Sequence, residues 1–288
     1  MTPGIKDLVG REPIAAALAV GIKGPNGAPT DRDRFHILNP SAQLKQFGQR
    51  SGLVREPHPS FDPFNKAKAG NRQTVKARLA HATVEECWTY SLKAQVLPGI
   101  SHPKRNAACR GNGIKAERYD PREDVYHAID CPHDRCQHRQ AGDRKPAACK
   151  PWMRFLARFD FIRTEDGRGL PNVAFKYESG SWNTVKAFLG FFESFERNCR
   201  NLGVEPADVP LFGLPVVLQL QEKTDASQQR RFPVVTLAVS GDDDIIAWIL
   251  MQRARMDELK ALPAPARIID VQDEHDPDLI SGPQGLGG

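Results

Sequence analysis

Four cysteines, Cys109, Cys131, Cys136 and Cys149, fall within 41 residues in the pattern C-x21-C-x4-C-x12-C. The stretch that holds them, Pro98 to Lys150, carries Gly, Pro, His and Cys but no sustained hydrophobic period, so burial alone gives it no reason to fold. A structural Zn2+ would supply one: four thiolates close a tetrahedron, and the binding free energy becomes folding free energy for the loops it ties together. His127, His133 and His138 could each replace one thiolate, and four unligated thiols are the remaining alternative. A catalytic zinc would keep one position open and use a nearby acid such as Asp134 as general base. The chain contains no H-E-x-x-H, no H-x-E with C-x-x-C, no G-x-S-x-G and no phosphate-binding G-x-x-x-x-G-K-[ST], so no catalytic residue is assigned.

The second group able to do chemistry begins directly after Cys149. Lys150-Pro151-Trp152-Met153-Arg154-Phe155-Leu156-Ala157-Arg158 alternates as a strand does. Met153, Phe155, Ala157 and Phe159 then share the apolar face, while Trp152, Arg154 and Arg158 share the other. A ring flanked by guanidiniums suits single-stranded nucleic acid, because the ring stacks on bases and the cations follow phosphates. The alternative is a core-edge Trp152 with its arginines paired to Asp160, Glu165 or Asp166. Between Asp62 and Glu85 there is no acid, while Lys66, Lys68, Arg72, Lys76 and Arg78 are all basic, which fits either a solvated face or a second phosphate-tracking segment.

These residues need elements to position them. Gly and Pro punctuate residues 1–63, leaving room for a strand at Arg34–Leu38 and for a short helix capped by Ser41, running through Leu44 and Phe47 to Gly48. Cys87–Leu97 reads as a strand, as does the segment of Val173, Phe175 and Tyr177. Ser181 opens the clearest helix, with Val185, Phe188, Leu189, Phe192, Phe195, Cys199 and Leu202 recurring at helical spacing until Gly203. Cys199 on that stripe reads as a small buried hydrophobe. Leu214–Glu222 and Phe232–Val239 form a hairpin, and Asp242, Asp243 and Asp244 precede a second helix from Ile245 to about Leu262, where acids complement the helix dipole.

Taken in order, four of these stretches resemble the recombination directionality factor-like proteins of phages, partners of large serine integrases. They are Gly21-Ile22-Lys23 with Arg34-Phe35-His36-Ile37-Leu38-Asn39-Pro40-Ser41; the dispersed cysteines ending in Cys149-Lys150-Pro151; the strand through Arg154 and Phe155; and Gly180-Ser181-Trp182-Asn183-Thr184 opening a helix. The likeness spans roughly residues 16–222. It implies a phage-encoded, zinc-holding protein without catalytic activity, which binds an integrase to favour excision over integration. In phages lacking such an integrase it implies a general role in DNA replication or recombination.

Composition sets the outer bounds. The chain has 288 residues, 40% of them hydrophobic and 26% charged, as an ordinary globular protein does. No window approaches about 18 apolar residues, and Ile14–Val20 is too short for a signal sequence, so neither membrane insertion nor export is expected. Six cysteines without an export signal fit reduced thiols in a host-cell cytoplasm. Five acids, Asp270, Asp273, Glu274, Asp276 and Asp278, lie in the last 19 residues, so residues 1–269 carry +10 against +5 for the whole chain. A basic body with an acidic tail favours a polyanionic partner such as DNA, single-stranded or duplex. The expected fold is α+β: a mostly antiparallel, barrel-like sheet with a zinc-stapled insertion at 98–150 and two flanking helices. It forms one domain over 1–262, followed by a disordered acidic tail at 263–288.

Overall fold

The computed structural model describes residues 14–23, 29–40, 43–47, 50–54, 56–94, 109–120, 122–131, 136, 149–160, 173–225, 230–240 and 244–261. Its centre is β10 (Cys149–Phe159), the strand that alternates most regularly in sequence, and its side chains are buried at every second position from Pro151 to Phe159. Both edges of β10 are occupied. Along one runs β11 (Ala174–Ser179), antiparallel. Along the other lie, end to end, β6 (Trp88–Ala94) beside Cys149–Phe155 and β5 (Thr74–Leu79) beside Ala157–Phe159. The chain leaves this edge between the two strands to form the short helix α2 (Val84–Cys87), capped by the Thr83 hydroxyl accepting from Glu86 N–H.

The sheet fans out from this centre. β5 leads to the hairpin of β12 (Pro215–Asp225) and β13 (Arg230–Val239). β6 leads to β7 (Cys109–Gly111), β8 (Lys115–Asp120) and β9 (Val125–Asp130), all antiparallel. β11 pairs in parallel with β1 (Ala16–Lys23), which pairs antiparallel with β2 (Pro29–Leu38). Between Val20 and Ile22 the β1–β2 register shifts at Gly21, whose φ of +71° and close approach to the Thr30 carbonyl leave no room for a side chain.

One face of this mixed, mostly antiparallel sheet carries the core. The expected long helix is α3 (Trp182–Asn201), begun by the Ser181 hydroxyl accepting from Thr184 N–H and ended before Gly203 at φ +67°. Its stripe lies on the sheet: Phe188 meets Phe155 edge-on at 5.1 Å between ring centroids, Phe192 stacks on Trp88 at 5.4 Å, and Cys199 is fully buried. Thr184 Oγ1 accepts from the backbone N–H of Val235 at 3.3 Å, tying the helix start to β13. The last helix, α4 (Ile245–Ala261), packs on α3; the Asp244 carboxylate accepts from Ile246 N–H, and Trp248 Nε1–H donates to the Pro210 carbonyl. Farther along the core, α1 (Asp62–Lys66) follows Phe61, which packs on Phe159 at 4.8 Å, and Asn65 exchanges two hydrogen bonds with the backbone of Ile37 in place of a neighbouring strand.

Four expectations are corrected. The sheet does not close into a barrel: the start of β2 comes near β12, with Gln73 Nε2–H donating to the Asp33 carbonyl, but no ladder joins those strands among the described residues. The helix expected after Ser41 is instead β3 (Gln43–Phe47), paired with β4 (Arg50–Val54) across a two-residue connection, and pairing overrides the helical spacing of Leu44 and Phe47. Residues 98–150 are not without secondary structure, since β7, β8 and β9 lie among them. Four α-helices rather than two occur among the described residues, because α1 and α2 are too short to leave a period. The tail, 263–288, and Asp242 and Asp243 lie outside the described residues.

Candidate nucleic-acid face and thiol cluster

The alternation of β10 separates two kinds of chemistry onto two faces. Trp152, Arg154, Leu156 and Arg158 point away from the helices. Trp152 is 42% exposed, and the Lys93 ammonium from β6 stands 5.3 Å from its ring centroid, a cation–π contact that fixes both side chains. Beside it Arg154 is half-buried, its Nε shielded from water with no hydrogen-bond acceptor, and the ladder sets it directly opposite Glu178 of β11. A shielded guanidinium nitrogen without an acceptor is rare in folded proteins and calls for a bound water or anion.

Farther along, the ladder sets Arg158 directly opposite Arg78 of β5. Like charges facing each other across strands destabilise a sheet unless a counter-charge joins them. Asp160 stands beside the pair, its carboxylate 3.1 Å from Arg78 Nε, and Arg78 also donates to the Gly213 carbonyl. Lys76 lies two residues away on the same exposed face of β5. The alternation thus brings together five of the eight residues proposed from sequence: Trp152, Arg154, Arg158, Lys76 and Arg78.

The other three are elsewhere. Lys66 is on α1, ion-paired to Asp62 at 3.2 Å, and exposed Lys68 follows it, both on the helix-covered side of the sheet. Arg72 is only 4% exposed and donates to the Asn65 carbonyl at 2.6 Å; burial holds its pKa below the usual value, with Arg34 adding repulsion. It is a packing residue rather than a surface cation. Lys93 is a member of the face that sequence reasoning missed, although its place one residue before Ala94 in an alternating segment was the available signal.

Cys109, Cys131 and Cys149 sit on the opposite face. The ladder aligns Cys149, Ala94 and Cys109 in one row across β10, β6 and β7, and the alternation along β9 puts Cys131 on the same side. Cys131 N–H donates to the Ile114 carbonyl, and Cys136 is buried. Burial raises the pKa of Cys109; the nearby Arg118 guanidinium opposes that, and Cys136 and Cys131 add to it. Cys149 is two strands from Cys109, about 10 Å at ordinary ladder spacing, so a single ion would need the sheet edge to curl to bond both. None of the six cysteines forms a disulfide.

Among the described residues, the group of three potential ligands with atoms mutually within 4.8 Å is Asp120, Glu123 and His127, not a set of thiols. Glu123 and His127 are exposed and paired to each other at 2.9 Å, a contact such side chains make without any metal. His133, His138 and Asp134 lie outside the described residues. Among the described residues, no helix is long and apolar enough to cross a membrane. No family model, curated protein or solved structure matches this chain.

Proposed function

We propose that this chain is a non-enzymatic accessory protein of phage DNA metabolism, acting in the host cytoplasm, that binds DNA through the outer face of β10 and holds a structural Zn2+ with Cys109, Cys131, Cys136 and Cys149. The observation that carries the reading is the combination on one face of an exposed, cation-capped Trp152, Arg154 with its shielded Nε, and the opposed pair Arg158–Arg78. A single strand of DNA can engage all three: a base covers the ring and phosphates accept from the arginines. The zinc reading is supported by Cys109 and Cys131 lying on one side of a sheet extension whose strands bury little on either face, with Cys136 near enough to Cys109 to raise its pKa. Binding a serine integrase or replication proteins extends this role, in keeping with the sequence resemblance.

The rival reading, a metal-dependent hydrolase or nuclease, has the Asp120–Glu123–His127 group as its one supporting observation. Metal analysis and a cleavage assay separate the two. Protein purified without added metal should contain one equivalent of zinc that Cys136→Ser loses, and should bind labelled single-stranded DNA without cutting it. Metal-dependent cleavage abolished by His127→Ala, or absence of zinc, would overturn the respective halves of the proposal.

A further inference from the structure

On the side of Trp152 away from Arg154, the ladder lines up three cations. Lys150 of β10 stands directly opposite Lys93 of β6, and Lys93 directly opposite Arg110 of β7. Lys150 and Arg110 are exposed and Lys93 is half-buried. All three share the face of Trp152, because Lys150 is two positions from it along the strand and the other two are set on that face by the pairing.

Like charges directly opposite one another destabilise a sheet, and here the opposition occurs twice in succession. One member of the row is offset by a carboxylate among the described residues: Arg110 Nε–H donates at 2.6 Å to Oε2 of Glu117, the next residue of the same row, on β8. Lys93 stands instead over the Trp152 ring, and Lys150 has no ion-pair partner among the described residues. The connecting segments carry no surplus of acid. Residues 95–108, between β6 and β7, contain Lys104 and Arg105 but no Asp or Glu, and residues 132–148, between β9 and β10, hold Arg135, Arg139, Arg144 and Lys145 against Asp134 and Asp143. The chain thus gathers positive charge around this row rather than offsetting it, which suits a polyanion.

We propose that Lys150, Lys93 and Arg110 hold two successive phosphates of the DNA strand whose base stacks on Trp152, with the backbone crossing β10, β6 and β7 on the far side of the ring from Arg154. At ordinary ladder spacing the row spans about 10 Å, wider than one phosphate group and covered by two. Glu117 repels a third phosphate and so ends the row. A base seated on the ring where Lys93 now stands releases that ammonium to the adjoining phosphate, so one nucleotide engages both groups. The inference rests on the DNA-binding reading of the β10 face and adds a second set of contacts and a direction to it.

The test is anisotropy titration of labelled (dT)12 at several salt concentrations. Each phosphate contact to a single strand contributes about 0.7 to the slope of log K against log salt, so Lys150→Gln should lower the slope by about 0.7 and the double change Lys150→Gln with Arg110→Gln by about 1.4. Lys115→Gln is the control for charge alone, since Lys115 is exposed on the same face of β8 but outside the row and paired with Asp130; it should leave the slope unchanged. Circular-dichroism melts check folding, and relieving the like-charge row should leave the melting temperature equal or higher. If the double variant melts early, Lys150→Gln at its exposed position carries the test alone. A native slope in the Lys150→Gln variant, or a fall as large in Lys115→Gln, would overturn the row, and a slope that still responds to Arg154→Gln would leave the DNA-binding reading standing. Failure of the native protein to bind any single strand would remove both.

Discussion

Replacing Trp152 separates the stacking contribution from the electrostatic one, provided the fold survives. The ring is 42% exposed, so somewhat more than half of a side chain of about 250 Å² is covered. Trp152→Ala uncovers about 140 Å² of that contact, which at about 25 cal/mol per Å² is an upper limit of about 3.5 kcal/mol. The Lys93 cation–π contact adds about 0.5–1 kcal/mol. At about 2–4 °C per kcal/mol for a chain of this size, the alanine variant would melt roughly 8–18 °C lower, enough to confuse binding with unfolding. Trp152→Leu keeps most of the apolar flank but offers bases no plate. Stacking one base contributes about 1–3 kcal/mol, so the leucine variant should bind a single-stranded 12-mer about 5- to 150-fold more weakly at 20 °C, with a much smaller loss on duplex. The dependence of log K on log salt should not change, because no phosphate contact is lost, whereas Arg154→Gln should reduce that slope by about 0.7. Anisotropy titrations at three salt concentrations, beside circular-dichroism melts, give both quantities. A folded Trp152→Leu protein with unchanged single-strand affinity would refute the platform.

Three further outcomes follow from the described groups. Burial pushes the thiols of Cys87 and Cys199 up to about 12 and about 11, so neither should react with a maleimide at pH 7.5 in the folded protein, and mass mapping that finds either labelled early would place it at the surface. His36 is 6% exposed with Nε2 lacking an acceptor; burial lowers its pKa, Arg72 and Arg34 lower it further, and Asp31 opposes them. The unfolded state therefore takes up the proton more readily, and the stability present above about pH 6.5 is lost as pH falls below it, by at most about 1.4 kcal/mol at pH 5.5. Urea midpoints should fall between pH 7.5 and 5.5 by less in His36→Gln than in the native protein, and parallel pH profiles would reject this assignment. Removing residues 264–288, which hold all five terminal acids, should strengthen DNA binding at low salt, and an unchanged affinity would show that the tail does not compete with phosphates.

The parts of the fold legible in sequence are those with one wet face and one dry face. β10, α3 and the β12–β13 hairpin each bury a regular half of their side chains, and that regularity is the period seen in the residues. The extension β7–β9 bears no such mark: β9 is exposed at four of its six positions and β7 is three residues long, so no alternation is available to read. Its order comes from register and from close approach at Gly111, where a Cβ would meet the Lys115 carbonyl. The same distinction governs the site. Trp152 and Arg154 could be placed together because one strand carries both, whereas Arg110, Glu117 and Lys93 meet only through pairing between separate strands. Arg72 was misread as a surface cation because a basic run does not reveal that one of its members fills a hole beside Asn65.

Cys149 and Trp152 stand three positions apart on β10, an odd separation, and so face opposite sides. Parity rather than distance keeps the thiol side and the DNA side distinct. Removing or adding a single residue between them would turn Trp152 toward the helices and expose Met153, exchanging the two surfaces along the rest of the strand, while a change of two residues would preserve them. Lengths in this short stretch are therefore constrained modulo two, and a lineage could alter the spacing of cysteine and tryptophan only in even steps without giving up one surface or the other.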